Sequence, residues 1–274
     1  MFQRFAVMGH PIAHSLSPMI HALFAKQTGI DLSYEAIDVA EGGFESKVRE
    51  FFLTGGQGLN ITLPYKQRAF AMSDVASARC SEAKSANTLW MNQGQLYADN
   101  TDGVGFIADL SGYIIIEDKR ILLLGAGGAA RGIIGPLLQA KPLAMTLANR
   151  SLETTHDLHL KYPSLRCIAL SALEAEALQA HYDIVIHATS GTLDGSSFPL
   201  SSQILHSHPF CYDLVYARGV PTPFVDWARQ AGCVAVDGIG MLVRQAAHAF
   251  LIWHGIMPDV EAVLFHDELG IVGR

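Results

Sequence analysis

Four groups of residues in this sequence have the types and spacing to do chemistry. The run from Arg120 to Arg131, Arg-Ile-Leu-Leu-Leu-Gly-Ala-Gly-Gly-Ala-Ala-Arg, places Gly125, Gly127 and Ala130 at the G-x-G-x-x-G/A spacing of a dinucleotide-binding turn. In such a turn Gly125 permits the tight bend, Gly127 lets the backbone approach a pyrophosphate, and Ala130 allows close helix-on-strand packing. Alone, the same spacing fits a glycine-rich strand-to-helix turn in another α/β domain equally well. Ser15 and Ser17, in the loop Gly9-His-Pro-Ile-Ala-His-Ser-Leu-Ser-Pro18, bring hydroxyls to a helix start whose backbone N–H groups suit a carboxylate or phosphate. Simple capping explains Ser17 but not Ser15 as well. Asp99-Asn-Thr-Asp-Gly103 sets four polar residues before a helix, where one cap would suffice. Lys66 follows Pro64 at the C-terminal end of a strand, where α/β folds gather their ligands. By position alone, such a lysine is more often a solvated surface charge than a catalyst.

These residues need elements to hold them. Phe5 to Met8 reads as a first strand, followed by the serine loop and a helix with Ser17 as N-cap, Pro18 at the first helical position and Met19, Leu23 and Phe24 on one face. Leu32 to Val39 reads as a strand and Gly42 to Phe52 as a helix. Gly58 to Lys66 reads as a strand ended by Pro64, with Leu59, Ile61 and Leu63 on one face and Asn60 and Thr62 on the other. Gln67 to Ala83 reads as one helical stretch, and the segment around Asn92-Gln-Gly94 as a hairpin. From Lys119 to Val236, strands at 121–124, 144–148, 165–169, 184–187, 210–214 and 233–236 alternate with helical segments, the signature of a parallel, doubly wound sheet. A helix from Leu242 to Trp253 follows Gly238-Ile-Gly-Met241, with Gln245 and His248 offset from its apolar stripe.

Bulk properties narrow the function classes. The 274 residues suit one large α/β domain or two smaller ones, and with half of them hydrophobic and 16% charged the composition is that of a globular chain. A net charge of -7 argues against nucleic acid or an anionic membrane surface as the partner and favours small ligands. Cys80, Cys167, Cys211 and Cys233 are scattered without metal-ligand spacing, so they are expected to be reduced and mostly buried, and no metal is expected. With no apolar run long enough for a membrane span and Phe5 to Met8 too short for a signal peptide, a cytoplasmic protein is expected.

The end of the second strand of the glycine-turn unit refines the cofactor. An NAD-binding unit carries an acidic residue there for the ribose 2′-hydroxyl. Here the strand ends in Ala148-Asn149-Arg150-Ser151, with no carboxylate to repel a phosphate and a guanidinium to receive one, which favours NADP.

Taken together, these motifs resemble one family, the shikimate dehydrogenases, which reduce 3-dehydroshikimate to shikimate with NADPH in aromatic amino-acid (chorismate) biosynthesis. The resemblance spans almost the whole chain: the loop Gly9 to Pro18, Asn60-Ile-Thr-Leu-Pro-Tyr-Lys66, Asn87-Thr-Leu, Asp99 to Gly103, Gly125 to Arg131, Asn149-Arg-Ser151 and Gly238-Ile-Gly-Met-Leu-Val-Arg-Gln245. It implies an α/β fold of two domains: an N-terminal α/β substrate domain (1–104) completed by C-terminal helices (238–274), and a Rossmann-like, doubly wound NADP-binding domain (105–237). It implies that Lys66 and Asp102 form the catalytic acid–base pair. Ser15 and Ser17 would bind the substrate carboxylate, and Thr62, Asn87, Asp102, Tyr216 and Gln245 the rest of the substrate. Cofactor contacts would come from Gly125, Ala126, Gly127, Gly128, Ala129, Ala130, Asn149, Arg150, Ser151, Thr189, Leu214 and Gly238. The partner is a small molecule, and the protein is expected to be a monomer or homodimer.

The chain departs from the family pattern at several points. Leu152, Glu153 and Thr154 stand where a second basic residue usually follows Asn-Arg, His187 stands for a common Asn, His10 for another Asn and Leu16 for a Lys. A quinate/shikimate dehydrogenase with relaxed or NAD preference therefore stays open as an alternative, and so does a ligand-responsive binding module without catalysis.

Overall fold

The computed structural model describes residues 3–177, 181–189 and 200–266. In chain order its first half runs β1 (Gln3–Gly9), α1 (Ser17–Thr28), β2 (Leu32–Asp38), α2 (Phe44–Leu53), β3 (Gly58–Ile61), α3 (Lys66–Met72), β4 (Val75–Ala76), α4 (Ala78–Ala83), β5 (Thr88–Asn92), β6 (Gln95–Asp99) and α5 (Asp102–Leu110). The second half runs β7 (Arg120–Leu124), α6 (Gly128–Gln139), β8 (Ala144–Asn149), α7 (His156–Lys161), β9 (Leu165–Ala169), α8 (Leu170–Ala177), β10 (Ile184–His187), β11 (Phe210–Asp213), α9 (Pro223–Gln230), β12 (Ala235–Val236), α10 (Ile239–His254) and α11 (Val260–Leu264). The chain divides into two compact units. One takes the described residues up to Phe106, Arg131–Gly135 and the described residues from Met241; the other takes Ile107–Ala130 and Pro136–Gly240. The end of the expected substrate domain, 267–274, lies outside the described residues.

The first unit holds a six-stranded sheet in the order β2-β1-β3-β5-β6-β4. β1 pairs in parallel with β2 and β3, while β3–β5 and β5–β6 are antiparallel. The β5–β6 hairpin turns through Gln93 and Gly94, both at positive φ, as a tight hairpin turn requires. The second unit holds an all-parallel sheet in the order β12-β11-β10-β7-β8-β9. This is the doubly wound arrangement, whose strand order reverses between β7 and β10, and ligands of such sheets bind at the carboxyl ends beside that point. Leu122, Leu124, Val185 and Cys211 join one buried cluster, and the alternate residues Ile121, Leu123, Ile184 and Ile186 are buried as well, as a sheet covered on both faces demands. Cys80, Cys211 and Cys233 are buried and all four cysteines are free thiols.

Three local expectations change. The strand expected over Gly58 to Lys66 stops at Ile61; within it the expected alternation holds, Leu59 and Ile61 joining an apolar cluster and Asn60 polar partners, but all four residues are buried. β3 lies between β1 and β5, so Asn60 is enclosed among polar partners while Leu63, beyond the strand, is largely exposed. The single helix expected over Gln67 to Ala83 is two helices. Val75 and Ala76 leave the helical path to pair with Tyr97 and Ala98 of β6, Asp74 exchanges hydrogen bonds with Leu96, and Ser77 restarts the helix by accepting from the Cys80 N–H. Finally, Ser17 is the first residue of α1 and Leu16 the N-cap, with no side chain capping; Ser15 Oγ accepts from the Ser17 N–H at 3.3 Å instead.

Candidate active site

Lys66 opens α3, five residues after β3 ends, and its position is set by the residue before it. Tyr65 is wholly buried, stacks on Phe44 with ring centroids 4.5 Å apart, and donates its hydroxyl to the Val39 carbonyl. On the other side the Lys66 carbonyl accepts from the Ala86 N–H at 2.8 Å, tying it to the segment that leads into Asn87. From this anchored backbone, Lys66 Nζ donates to Asp102 Oδ2 at 2.6 Å, with side chains 12% and 4% exposed. A pair this enclosed is strongly interdependent, since removing either partner strands the other charge away from water.

Asp102 begins α5 and is the last of the four polar residues in the Asp99 run. Each of the four has its own task. Asp99 is gripped by Arg79 through Nε and Nη2, both at 2.7 Å, and by the Ser77 hydroxyl. Burial pushes its carboxyl up, but the Arg79 and Ser77 hydrogen bonds outweigh this and hold it below the usual carboxylate range. Asn100 Oδ1 accepts from the Asp102 N–H, and its Nδ2 donates to the Ser85 carbonyl. Thr101 donates its N–H to Asn87 Oδ1. Asn87 is the hub: Nδ2 donates to Asp102 Oδ1 and Thr101 Oγ1 at 2.9 Å each and to Gln245 Oε1 at 3.1 Å, and Oδ1 accepts from the Thr88 hydroxyl. Gln245 reaches this hub from α10, and Gly105 makes room for it, because a Cβ there would sit 2.6 Å from the Gln245 backbone nitrogen. Four of the expected residues, Lys66, Asn87, Asp102 and Gln245, thus form one connected group.

The other substrate residues are placed less directly. Thr62 lies just past β3, where its backbone N–H donates to the Met8 carbonyl; Gly9 abuts it so closely that a Cβ would meet its methyl group at 2.4 Å. The loop carrying Ser15 and Ser17 leaves β1 at the same point, and the His10 N–H donates to the Leu63 carbonyl. Ser15 is half-buried and Ser17 buried. Tyr216 belongs to the other unit, on the loop after β11.

The expected cofactor residues share one edge of the second unit's sheet. Gly125 to Ala130 follow β7, Asn149 to Ser151 end β8, Thr189 follows β10, Leu214 follows β11 and Gly238 follows β12. All are at carboxyl ends of parallel strands, the edge on which such sheets bind nucleotides. Gly125 has φ +105° and a Cβ there would meet the Thr189 methyl group at 2.7 Å, so only glycine fits. At Gly127 an added Cβ would meet nothing within 4 Å, which leaves the backbone at the start of α6 open to an approaching ligand. Arg150 is exposed at the end of β8, and Asn149 Nδ2 donates to Thr154 Oγ1 at 2.6 Å and to the Ser151 carbonyl at 2.8 Å. A glycine cradle, an open helix N-terminus and a guanidinium without a neighbouring strand-end carboxylate fit a phosphorylated dinucleotide.

Residues 7–89 match the shikimate dehydrogenase substrate binding domain, 111–194 the shikimate / quinate 5-dehydrogenase family and 238–264 the shikimate 5'-dehydrogenase C-terminal domain. A shikimate dehydrogenase (NADP(+)) of Legionella pneumophila strain Philadelphia 1 is 50% identical over 266 residues, covering 97% of this chain and 98% of the relative. The chain belongs to the shikimate dehydrogenase family. Among solved structures of similar fold, the Ael1 enzyme of Pseudomonas putida has a TM-score of 0.86 at 40% identity, covering 98% of this chain and 99% of that one. The shikimate 5-dehydrogenase of Thermus thermophilus, in complex with NADP(H) and shikimate, has a TM-score of 0.85 at 33% identity, covering 98% of both chains. In this shikimate dehydrogenase family member, the structure also brings in residues that reading the sequence passed over. Asn60, buried in β3, accepts from the Tyr34 hydroxyl and donates to the Asn87 carbonyl and Thr88 Oγ1. Arg79 pairs with Asp99, while Lys66 pairs with Asp102. The signal for Asn60 was its polarity inside an apolar strand; no local pattern pointed to Arg79.

Proposed function

We propose that this chain catalyses the reversible NADPH-dependent reduction of 3-dehydroshikimate to shikimate, with Lys66 and Asp102 as its acid–base pair. The observation that carries the assignment is the buried Lys66–Asp102 hydrogen bond of 2.6 Å, joined through Asn87 to Gln245. Bound NADPH supplies the hydride that reduces the carbonyl carbon, so the protein must supply a proton to the carbonyl oxygen. Lys66 Nζ–H donates that proton, and Asp102 holds the ammonium in place while accepting from the substrate hydroxyl. In the reverse direction the same pair takes the proton from the alcohol. Ser15 and Ser17 bind the substrate carboxylate, and Thr62, Asn87, Tyr216 and Gln245 bind its remaining polar groups. Gly125 to Ala130 cradle the pyrophosphate, Thr189, Leu214 and Gly238 line the same strand edge, and Asn149, Arg150 and Ser151 hold the 2′-phosphate. The reaction takes place in the cytoplasm, in keeping with four free thiols and with no helix among the described residues long and apolar enough to cross a membrane.

Initial rates with shikimate and with quinate, each with NADP and with NAD, test the proposal. Shikimate with NADP should be the fastest pair. Faster turnover of quinate with NAD would replace the reading with a quinate-preferring dehydrogenase, and no turnover with any pair would replace it with a binding module.

A further inference from the structure

The carboxyl ends of β10 and β11 carry a buried polar chain that the proton-transfer chemistry does not use. His187, the last residue of β10, and Asp213, the last of β11, face each other in register and are both essentially inaccessible. His187 Nδ1 lies 2.8 Å from Asp213 Oδ1, which also accepts from the Val215 N–H at 2.9 Å; the Thr222 hydroxyl donates to Oδ2 at 2.6 Å. Phe224 stacks on the imidazole with centroids 5.1 Å apart and an interplanar angle of 18°. The second ring nitrogen, Nε2, lies 2.6 Å from Thr189 Oγ1. Thr189 in turn lies beside the glycine turn, where a Cβ added at Gly125 would come within 2.7 Å of its methyl group.

The hydrogens in this chain can be assigned by counting. An ionised carboxylate only accepts, and Asp213 has three donors around it, so the hydrogen between it and the ring sits on His187 Nδ1. With the ring neutral, Nε2 is the acceptor and the Thr189 hydroxyl donates to it. What Thr189 still offers is a lone pair. We infer that His187, held by Asp213, is a positioning residue that fixes Thr189 as a hydrogen-bond acceptor for a hydroxyl or amide N–H of the bound dinucleotide. The inference rests on the NADP reading proposed above. A side-chain amide at position 187 could turn either its donor or its acceptor end toward Thr189; a neutral His187 held by Asp213 through Nδ1 presents only an acceptor.

The test is a double-mutant cycle read by NADP+ affinity, with Kd from tryptophan fluorescence titration. Thr189→Val keeps the methyl group beside Gly125 and removes the hydroxyl; it should weaken NADP+ binding about five- to tenfold, the value of one neutral hydrogen bond. His187→Gln should weaken it by a similar factor in the wild-type background and not at all in the Thr189→Val background. Equal losses in both backgrounds would show that His187 acts only on the fold and overturn the inference, as would an unchanged Kd for Thr189→Val. Nitrogen-15 spectra of the ligand-free protein should show the hydrogen of His187 on Nδ1, and a hydrogen on Nε2 would overturn the polarity. Repeating the titration with the acetylpyridine analogue of NADP+, which lacks the carboxamide N–H groups, separates the two donors: the Thr189→Val effect disappears if the amide is the donor and persists if a ribose hydroxyl is. Wild-type protein that turns over shikimate while Thr189→Val binds normally removes this inference and leaves the proposed function standing. Wild-type protein that binds no NADP+ removes both.

Discussion

Replacing Lys66 with Met tests the acid–base assignment and the buried pair together. Lys66 Nζ and Asp102 Oδ2 are 2.6 Å apart, and their side chains are 12% and 4% exposed. The substitution therefore strands a carboxylate where water has little access. Breaking a buried ion pair from one side costs about 3–5 kcal/mol. Asn87 Nδ2 still donates to Asp102 Oδ1 at 2.9 Å, which places the loss near the lower end, about 3 kcal/mol. Loss of a general acid–base group lowers kcat by about 10²–10⁴-fold, or about 3–5 kcal/mol on the barrier. Following NADPH absorbance should show that fall in kcat, while Kd for NADP+ from fluorescence stays within about twofold of the wild type because Lys66 lies outside the cofactor edge. Adding Asp102→Asn removes the stranded charge. The double variant should then unfold in urea with about 2 kcal/mol less loss than the sum of the two single variants, and recover no activity. A folded Lys66→Met protein that keeps kcat within tenfold refutes the assignment. Additive stability losses refute the tightly coupled pair.

Three further predictions follow from other parts of the structure. Arg150→Ala should raise KM for NADP by about 10- to 100-fold, the value of a charge-assisted hydrogen bond, and leave KM for NAD nearly unchanged; equal effects on both cofactors in parallel kinetics would remove Arg150 from the 2′-phosphate site. His21 is wholly buried, and burial, followed by repulsion from His254, lowers its pKa to about 3 against a smaller opposing effect of the nearby Asn60. Because the unfolded chain protonates this ring near its ordinary value and the native chain does not, stability is lost as pH falls below about 6.5, by about 2 kcal/mol between pH 7 and pH 5. Urea midpoints at the two pH values should show this extra loss in wild type and not in His21→Phe, and identical pH slopes would contradict it. Burial, with a lesser contribution from Asp99, pushes the Cys80 thiol up to about 12, and burial raises Cys211 further, so a thiol-disulfide reagent at pH 8 should label neither until the protein is unfolded; absorbance counts of released thiolate before and after urea check this.

The parts of the fold that could be read in the sequence are those decided within a few residues. The glycine turn follows β7 because Ile121 to Leu124 form an unbroken apolar run and the next residues are too small to continue it. The parallel sheet is equally plain, since both faces of its strands need apolar residues. What stayed hidden was decided by distant partners. The helix expected through Gln67 to Ala83 breaks because two of its residues gain more by pairing with β6, some twenty residues further on, and only Ser77 marked the restart. At the site, the residue types of Lys66 and the Asp99 run were visible, but nothing local told the two aspartates apart; their similarity to a known family singled out Asp102, and the position of Arg79 supplies the physical reason.

Asp99 and Asp102 show how one residue type is saturated with donors in one place and keeps acceptor capacity in another. Asp99 meets the planar fork of Arg79 with both oxygens, and the Ser77 hydroxyl and the Asn100 N–H add two more donors. Four donors nearly exhaust the acceptor capacity of a carboxylate, so Asp99 has little left for a ligand. Asp102 receives one hydrogen bond on each oxygen, from Lys66 and from Asn87, and retains acceptor capacity for a substrate hydroxyl. Its partner differs in the same way. The Arg79 guanidinium does not give up its proton under any condition the protein meets, whereas an ammonium can lose one and carries three, of which Asp102 takes one. Proton transfer needs a pair with unspent donors and acceptors and a titratable cation; Lys66 with Asp102 meets both requirements where Arg79 with Asp99 meets neither, which supports the proposed assignment.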